Sequence, residues 1–140
     1  MVTKRSLISM LVVGVLIAAS PATAQSSLLD RWYTALFDVN RVAIADLLAD
    51  DAVITLEDLD VTQTKTEFIE SLDEWEEVAK DANLAWQLEE GTGADATKSS
   101  VLVCYQFPDN EMMIREVFTF ADGKIARSVQ TTVSDSCENF

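Results

Sequence analysis

The run Glu111-Met112-Met113-Ile114-Arg115-Glu116-Val117-Phe118-Thr119-Phe120, followed by Ala121-Asp122-Gly123-Lys124 and then Ile125–Ser134, decides the fold class. Two segments rich in β-branched and aromatic residues flank a short turn sequence, which is the pattern of an antiparallel hairpin. Alternation places Ile114, Glu116, Phe118 and Phe120 on one face, with Met113, Val117 and Thr119 on the other. Asp122-Gly123 predicts a type I turn with the glycine in the left-handed region and a bulge beside it. The extra residue sets Ile125 on the face of Phe120, and Val129 and Val133 continue that face.

Upstream of this hairpin the period-two pattern persists. Thr97–Phe107 joins it through Pro108-Asp109-Asn110, and Asn83–Glu90 alternates Leu84, Trp86 and Leu88 with polar residues before a turn at Gly91–Asp95. Earlier still the period becomes helical. Thr64-x-x-Glu67 reads as a capping box opening a helix to about Asp81, with Phe68, Ile69, Leu72, Trp75 and Ala79 as its buried stripe. Ser27–Asp38 is a helix burying Leu28, Leu29, Trp32, Leu36 and Phe37. Asn40 caps a second short helix reaching Ala49. Ala52–Leu56 is a brief strand, and Glu57–Asp60 is a loop. Helices followed by a meander of strands make an α+β domain, with the helices packed on one side of a curved, mostly antiparallel sheet.

Residues 1–24 read as an export tag. Lys4 and Arg5 precede an apolar run from Leu7 to Ala19, and Ala22-Thr23-Ala24 ends it with the small-x-small pattern of a signal-peptide cleavage site. The domain is then residues 25–140, in a secreted or periplasmic location. The chain carries 24 acidic against 10 basic residues, a net charge of −14, and loss of Lys4 and Arg5 with the tag makes it −16. Such a surface repels phosphate backbones and anionic headgroups, so neither nucleic acid nor, once the tag is cut, a membrane is an expected partner. Twelve acids crowd between Glu57 and Glu90, but no D-x-D-x-D-G run appears, and they read as a solvated helix face rather than a metal site.

Histidine is absent. That removes the commonest general base, the Ser-His-Asp and Cys-His arrangements and most zinc sites, and no cofactor motif takes their place. Acid–base chemistry would fall to Asp, Glu, Tyr or Lys. Cys104 and Cys137 are the two cysteines, and export makes a disulfide between a core strand and the C-terminal tail one reading, with a buried free thiol and an exposed one as the other.

The order of elements, the segment Leu47-Leu48-Ala49-Asp50-Asp51-Ala52-Val53-Ile54 and the close Phe118-Thr119-Phe120-Ala121-Asp122-Gly123-Lys124-Ile125 resemble the SnoaL-like branch of the nuclear transport factor 2-like superfamily. The resemblance spans nearly all of residues 25–140. It implies a cone of about three N-terminal helices on a strongly curved sheet, enclosing an apolar pocket. Members run from ketosteroid isomerases and polyketide cyclases to domains whose pocket has no known reaction. By this resemblance Glu116 falls where the isomerases carry their second pocket acid. Their oxyanion tyrosine aligns with Trp32, with Tyr33 one residue off and about 100° around the helix. Their base aligns with Leu56, although a bend in the loop would bring Asp58 inward.

A carboxyl among Ile114, Phe118 and Phe120 loses hydration, which raises its pKa and suits it to donate a proton. The competing reading of Glu116 is an ion pair with Arg115 or Arg127, or exposure at the mouth of the cone. Candidate catalytic groups are therefore Glu116, Asp58 and Tyr33, and candidate pocket residues are Trp32, Leu36, Leu56, Leu72, Trp86, Ile114, Glu116 and Phe118. Three readings stay open: a binding domain for a small apolar or aromatic molecule, a proton-shuffling isomerase, cyclase or lyase, and a homodimer through the sheet face bearing Met113, Val117 and Thr119. The export reading has a direct check. Intact-mass measurement of the exported protein is expected to give an N-terminus at Gln25, and retention of the apolar run would refute the tag.

Overall fold

The helical stripes and strand alternation seen in the sequence organise one α+β domain. The computed structural model describes residues 21–89 and 97–140. In chain order these form α1 (Pro21–Phe37), α2 (Arg41–Leu47), β1 (Leu48–Leu56), a 3₁₀ turn at Glu57–Leu59, β2 (Val61–Thr64), α3 (Lys65–Ala79), β3 (Asn83–Leu88), β4 (Lys98–Gln106), β5 (Glu111–Ala121) and β6 (Lys124–Ser134). All six strands join one sheet in the order β2-β1-β6-β5-β4-β3. Every pairing is antiparallel except β1 with β6. No described helix is long and apolar enough to cross a membrane. Most of the proposed tag and the Gly91–Asp95 turn lie outside the described residues.

The helix starts follow their side-chain chemistry. Asn40 Oδ1 accepts from Ala43 N at 3.1 Å, and at the head of α3 the Thr64 hydroxyl accepts from Glu67 N while the Glu67 carboxylate accepts from Thr64 N at 2.7 Å. These bonds satisfy amides that the first helical turn leaves open. α1 is already helical at Pro21, the first described residue, and so reaches further upstream than Ser27. Its buried positions Leu29, Trp32, Tyr33 and Leu36 follow the i, i+3, i+4, i+7 pattern, so Tyr33 shares the inner face, whereas Phe37 is 38% exposed.

Three boundaries differ from the sequence reading. α2 stops at Leu47 and β1 starts at Leu48, so Asp50 and Asp51 lie within a strand instead of ending a helix. The β1–β6 register slips between Leu48 and Val53, and this irregularity accommodates the two acids. β2 was not expected. It is an edge strand of four residues without apolar alternation, held to β1 from Val53↔Thr64 to Leu56↔Val61 and reached through Asp60 at φ 52°. At the last hairpin both Asp122 (φ 52°) and Gly123 (φ 74°) have positive φ, which defines a two-residue type I′ turn that pairs Ala121 with Lys124.

The bulge lies beyond that turn, in β6. Phe120 faces Ile125, but Thr119 faces Arg127, so Ala126 is the extra residue. Ile125 therefore shares the face of Phe120, as expected. From there the parity inverts: Ser128, Gln130 and Thr132 share the inner face with Phe118, Glu116 and Ile114, while Val129 pairs with Val117 on the outer face. Val133 is 37% exposed. The expectation that Val129 continues the inner face is corrected by the position of this bulge, and Val133 is left out of the ladder by a second slip, between Ile114↔Thr132 and Met113↔Ser134.

The core fills the space between helices and sheet, with Trp32, Ile44, Phe68 and Leu72 packed against Ile54, Val101, Phe118 and Ile125. On the opposite sheet face Cys104 is bonded to Cys137, with their Cα atoms 5.9 Å apart. Cys137 N also donates to the Glu111 carboxylate at 2.9 Å, so the C-terminal tail is fastened at two points. The bridge closes a loop across a sequence separation of 33. Constraining an unfolded loop of that length is worth about 3–4 kcal/mol in the chain-entropy account. Denaturant unfolding of Cys137→Ser is expected to show about 2–4 kcal/mol less stability than the parent, and reductant to lower the parent toward the variant. A variant as stable as the oxidised parent would remove the bridge from the account of stability.

Candidate functional site

Two distinct environments lie between the helices and the sheet. The closed end is packed with aromatic rings around one acid. Glu116, on β5, has no exposed surface. The Tyr33 hydroxyl donates to its Oε2 at 2.7 Å, and its Oε1 accepts from Ser128 Oγ at 2.6 Å and Gln130 Nε2 at 3.1 Å. No cation joins this group among the described residues. Arg115 points to the outer face, where it makes a bidentate pair with Glu89, so the ion-pair reading of Glu116 is excluded for Arg115. Arg127 faces Thr119 on the same outer side.

Burial pushes the Glu116 carboxyl above its usual pKa, although the donated bonds from Ser128, Tyr33 and Gln130 oppose the shift. Tyr33 is held well above the ordinary phenol range by its burial and by the neighbouring Glu116. Tyr33 stacks on Trp86 at 5.3 Å and meets Phe118 edge-on, while Trp32 stacks on Phe68 at 5.7 Å. The phenol, not the Trp32 indole, therefore reaches the acid. Trp32 Nε1 is buried with no hydrogen-bond partner among the described residues. An orphaned buried donor of this kind costs about 1–3 kcal/mol.

The other environment is a cavity of about 500 Å³ nearer the mouth. Phe68, Leu72 and Trp75 of α3 form one wall, with Leu36 from the end of α1. Tyr105, Phe107, Met112 and Ile114 form the sheet wall, and Gln130 and Thr132 enter from β6 because of the bulge. Leu56, Asp58, Leu59 and Gln63 complete the rim. Trp75 Nε1 donates to Leu36 O at 2.7 Å, which fixes the indole. Tyr105 meets Trp75 edge-on at 5.7 Å and stacks on Phe107 at 6.2 Å. Its hydroxyl has no hydrogen-bond partner among the described residues, and burial keeps it protonated far above neutral pH.

Of the residues singled out from the sequence, Leu36, Leu56, Leu72 and Ile114 line the cavity, as does Asp58. Trp32, Trp86, Glu116 and Phe118 do not. They belong to the packed closed end, and the Gln130 side chain both lines the cavity and bonds Glu116. Asp58 does reach the rim through the 3₁₀ turn, yet it is exposed, and the Thr132 N–H, 2.6 Å from its Oδ2, holds its carboxyl below the usual range. A carboxylate so stabilised is a weak base. The candidate catalytic groups thus fall in two places, Tyr33 and Glu116 together and Asp58 apart. The sequence reading missed Tyr105, Phe107 and Trp75 as walls, although Trp75 lies on the helical stripe read as buried. Gln130 and Thr132 carried no such signal. The one grouping with metal-ligand geometry among the described residues, Cys104, Glu111 and Cys137, has both sulfurs committed to the disulfide.

Three described helices packed on one mostly antiparallel sheet have counterparts among solved structures. A proposed ketosteroid isomerase from Kribbella flavida superposes with a TM-score of 0.68, at 18% identity, covering 81% of this chain and 80% of that one. An NTF-2 like protein of unknown function from Burkholderia xenovorans LB400 gives 0.67 at 14% identity, over 82% and 86% of the two chains. This is the nuclear transport factor 2-like fold. A proposed polyketide cyclase from Streptomyces antibioticus shares it, with a TM-score of 0.63 at 14% identity over 77% and 91%. No family model matches the chain, and no curated protein matches it.

The buried acid makes a pH prediction with a definite sign. A carboxyl raised in the folded state contributes its full stability below the unfolded value of 4.5, and that contribution is lost as pH rises through the raised value. Asp58, Glu67, Glu89 and Glu111 are all lowered and act in the opposite sense, so the parent alone cannot isolate Glu116. Glu116→Gln is therefore expected to gain stability relative to the parent as pH rises above the unfolded value of 4.5, measured by denaturant unfolding at each pH. Parallel pH profiles would mean that Glu116 is ionised throughout.

Proposed function

We propose that this chain is an exported SnoaL-like domain that holds a small apolar or aromatic molecule in the cavity between α3 and β4–β6, without isomerase chemistry. The observation that carries this reading is the separation of the acid from the cavity. Glu116 is saturated by Tyr33, Ser128 and Gln130 and does not line the cavity, while Leu56 stands where the resemblance calls for a base. A cavity of about 500 Å³ with aromatic and aliphatic walls is within the size range of small-molecule sites. The disulfide agrees with export to an oxidising compartment.

A second reading keeps catalysis, and the Tyr33–Glu116 bond favours it. A buried carboxyl whose pKa is raised, bonded by a phenol at 2.7 Å, is a candidate proton-transfer pair, and withdrawal of the Gln130 side chain would open it to the cavity. Under that reading Glu116→Gln abolishes turnover of a conjugated ketone while the protein stays folded.

Titration with the neutral fluorophore N-phenyl-1-naphthylamine tests the binding reading. A dissociation constant of about 1–100 µM is expected. Ser71→Trp, which fills the α3 wall, is expected to weaken it at least about tenfold, and Glu116→Gln to retain it. Quenching of Trp emission by the ligand should arise at Trp75, which lines the cavity, and be lost in Trp75→Phe. No binding by the folded parent would overturn the proposal.

A further inference from the structure

We infer that the ligand of this cavity is an organic cation, an amine or quaternary ammonium carried on an apolar or aromatic body. The inference rests on the cavity-binding reading above and adds the charge of the occupant.

Three features of the walls point the same way. The only charged side chains that line the cavity among the described residues are Asp58 and Glu74, and both are acidic. Neither is neutralised within the described residues. Asp58 is occupied only by the Thr132 backbone N–H, which keeps it anionic, and Glu74 makes no hydrogen bond or ion pair. The nearby bases are committed elsewhere: Arg41 to Asp73 and Glu76, Lys80 to Glu77, and Lys65 to Asp50 and Leu48 O.

The same walls that carry these carboxylates are rich in aromatic rings. Trp75, Tyr105, Phe107 and Phe68 line the cavity, and the indole N–H of Trp75 is already spent on Leu36 O. Rings present electron-rich faces to a cation, and the attraction grows as the cation leaves water. An anionic ligand would meet two carboxylates and no positive side chain. A neutral ligand would use the walls but leave the rim charges without a role. The field of the whole chain, at net charge −14, raises the local concentration of cations in the same sense.

The body of the ligand is set by what remains. Leu36, Leu56, Leu72 and Ile114 make the interior apolar, so a small hydrated cation such as ammonium itself gains little there. Tyr105 lines the cavity, and its hydroxyl, without a partner among the described residues, is the group left to serve one acceptor on that body.

The test uses three probes on the intact mature protein that share a 1-naphthylmethyl body: 1-naphthylmethyltrimethylammonium, 1-naphthylmethanol and 1-naphthaleneacetate, measured by calorimetry at about 0.15 M salt so that diffuse attraction is screened. The ammonium is expected to bind on the order of tenfold more tightly than the alcohol, and the acetate more weakly than either. In Asp58→Asn/Glu74→Gln the ammonium-to-alcohol ratio should fall to about one. In the charge-matched control Asp30→Asn/Glu138→Gln, which alters exposed acids that do not line the cavity, the ratio should persist. Glu74→Gln alone, on the exposed side of a well-capped helix, should lower the ratio partway should the double variant fold poorly. Equal affinity for ammonium and alcohol would overturn the cation inference while leaving the apolar-cavity reading standing. A preference lost equally in the control would overturn it too, as surface attraction only. Absence of binding by all three would overturn both.

Discussion

A carboxyl with no cation beside it among the described residues occupies the interior of this domain, and three donors converge on it. Leaving water is costly for any carboxyl and far more so for its ionised form, and the cost is met only where hydrogen bonds replace those lost to solvent. Tyr33 comes from α1 and Ser128 and Gln130 from β6, so the acid joins the first helix to the last strand through the middle of β5. Satisfying Glu116 thereby fixes how the helical layer sits on the sheet. The donors from β6 face inward only because Ala126 interrupts the pairing with β5.

This arrangement divides the interior by chemistry. At the closed end a polar knot is sealed inside stacked rings, and its terms are self-sufficient: acid, phenol, hydroxyl and amide answer one another. Toward the mouth the walls are aromatic and aliphatic, polar groups are sparse, and the rim is anionic. Gln130 stands at the boundary, with its amide committed to Glu116 and its side chain forming part of the cavity wall. Neighbours of the same fold carry names that span an isomerase and a cyclase, and the fold by itself does not select among them.

Much of the architecture was legible because period and capping chemistry are local. The Thr64–Glu67 box, the Asn40 cap and the alternation in Glu111–Phe120 were each readable within a few residues. The strand Val61–Thr64 was not, because an edge strand so short owes its conformation to β1 rather than to its own composition. For the site, Glu116 was legible as a buried acid because its face neighbours are apolar. Its partners were not. Tyr33 was named as a candidate yet set about 100° around the helix from Trp32, although a stripe of about that width admits both. Ser128, Gln130 and Thr132 were hidden more deeply, since the sequence announces a bulge near Asp122-Gly123 but not at which residue the ladder slips. A slip of one residue exchanges every later side chain between faces.

That slip makes the spacing of the final hairpin as consequential as its composition. Were Ala126 to pair with Thr119 instead of standing outside the ladder, the continuous register would set Arg127 opposite Phe118 and Val129 opposite Glu116. A guanidinium would enter the ring-packed end, and the acid would lose its amide and hydroxyl. Homologous chains that keep a polar inward face on this strand would then be recognisable by the count of residues from the glycine turn onward, even where no side chain in between is shared.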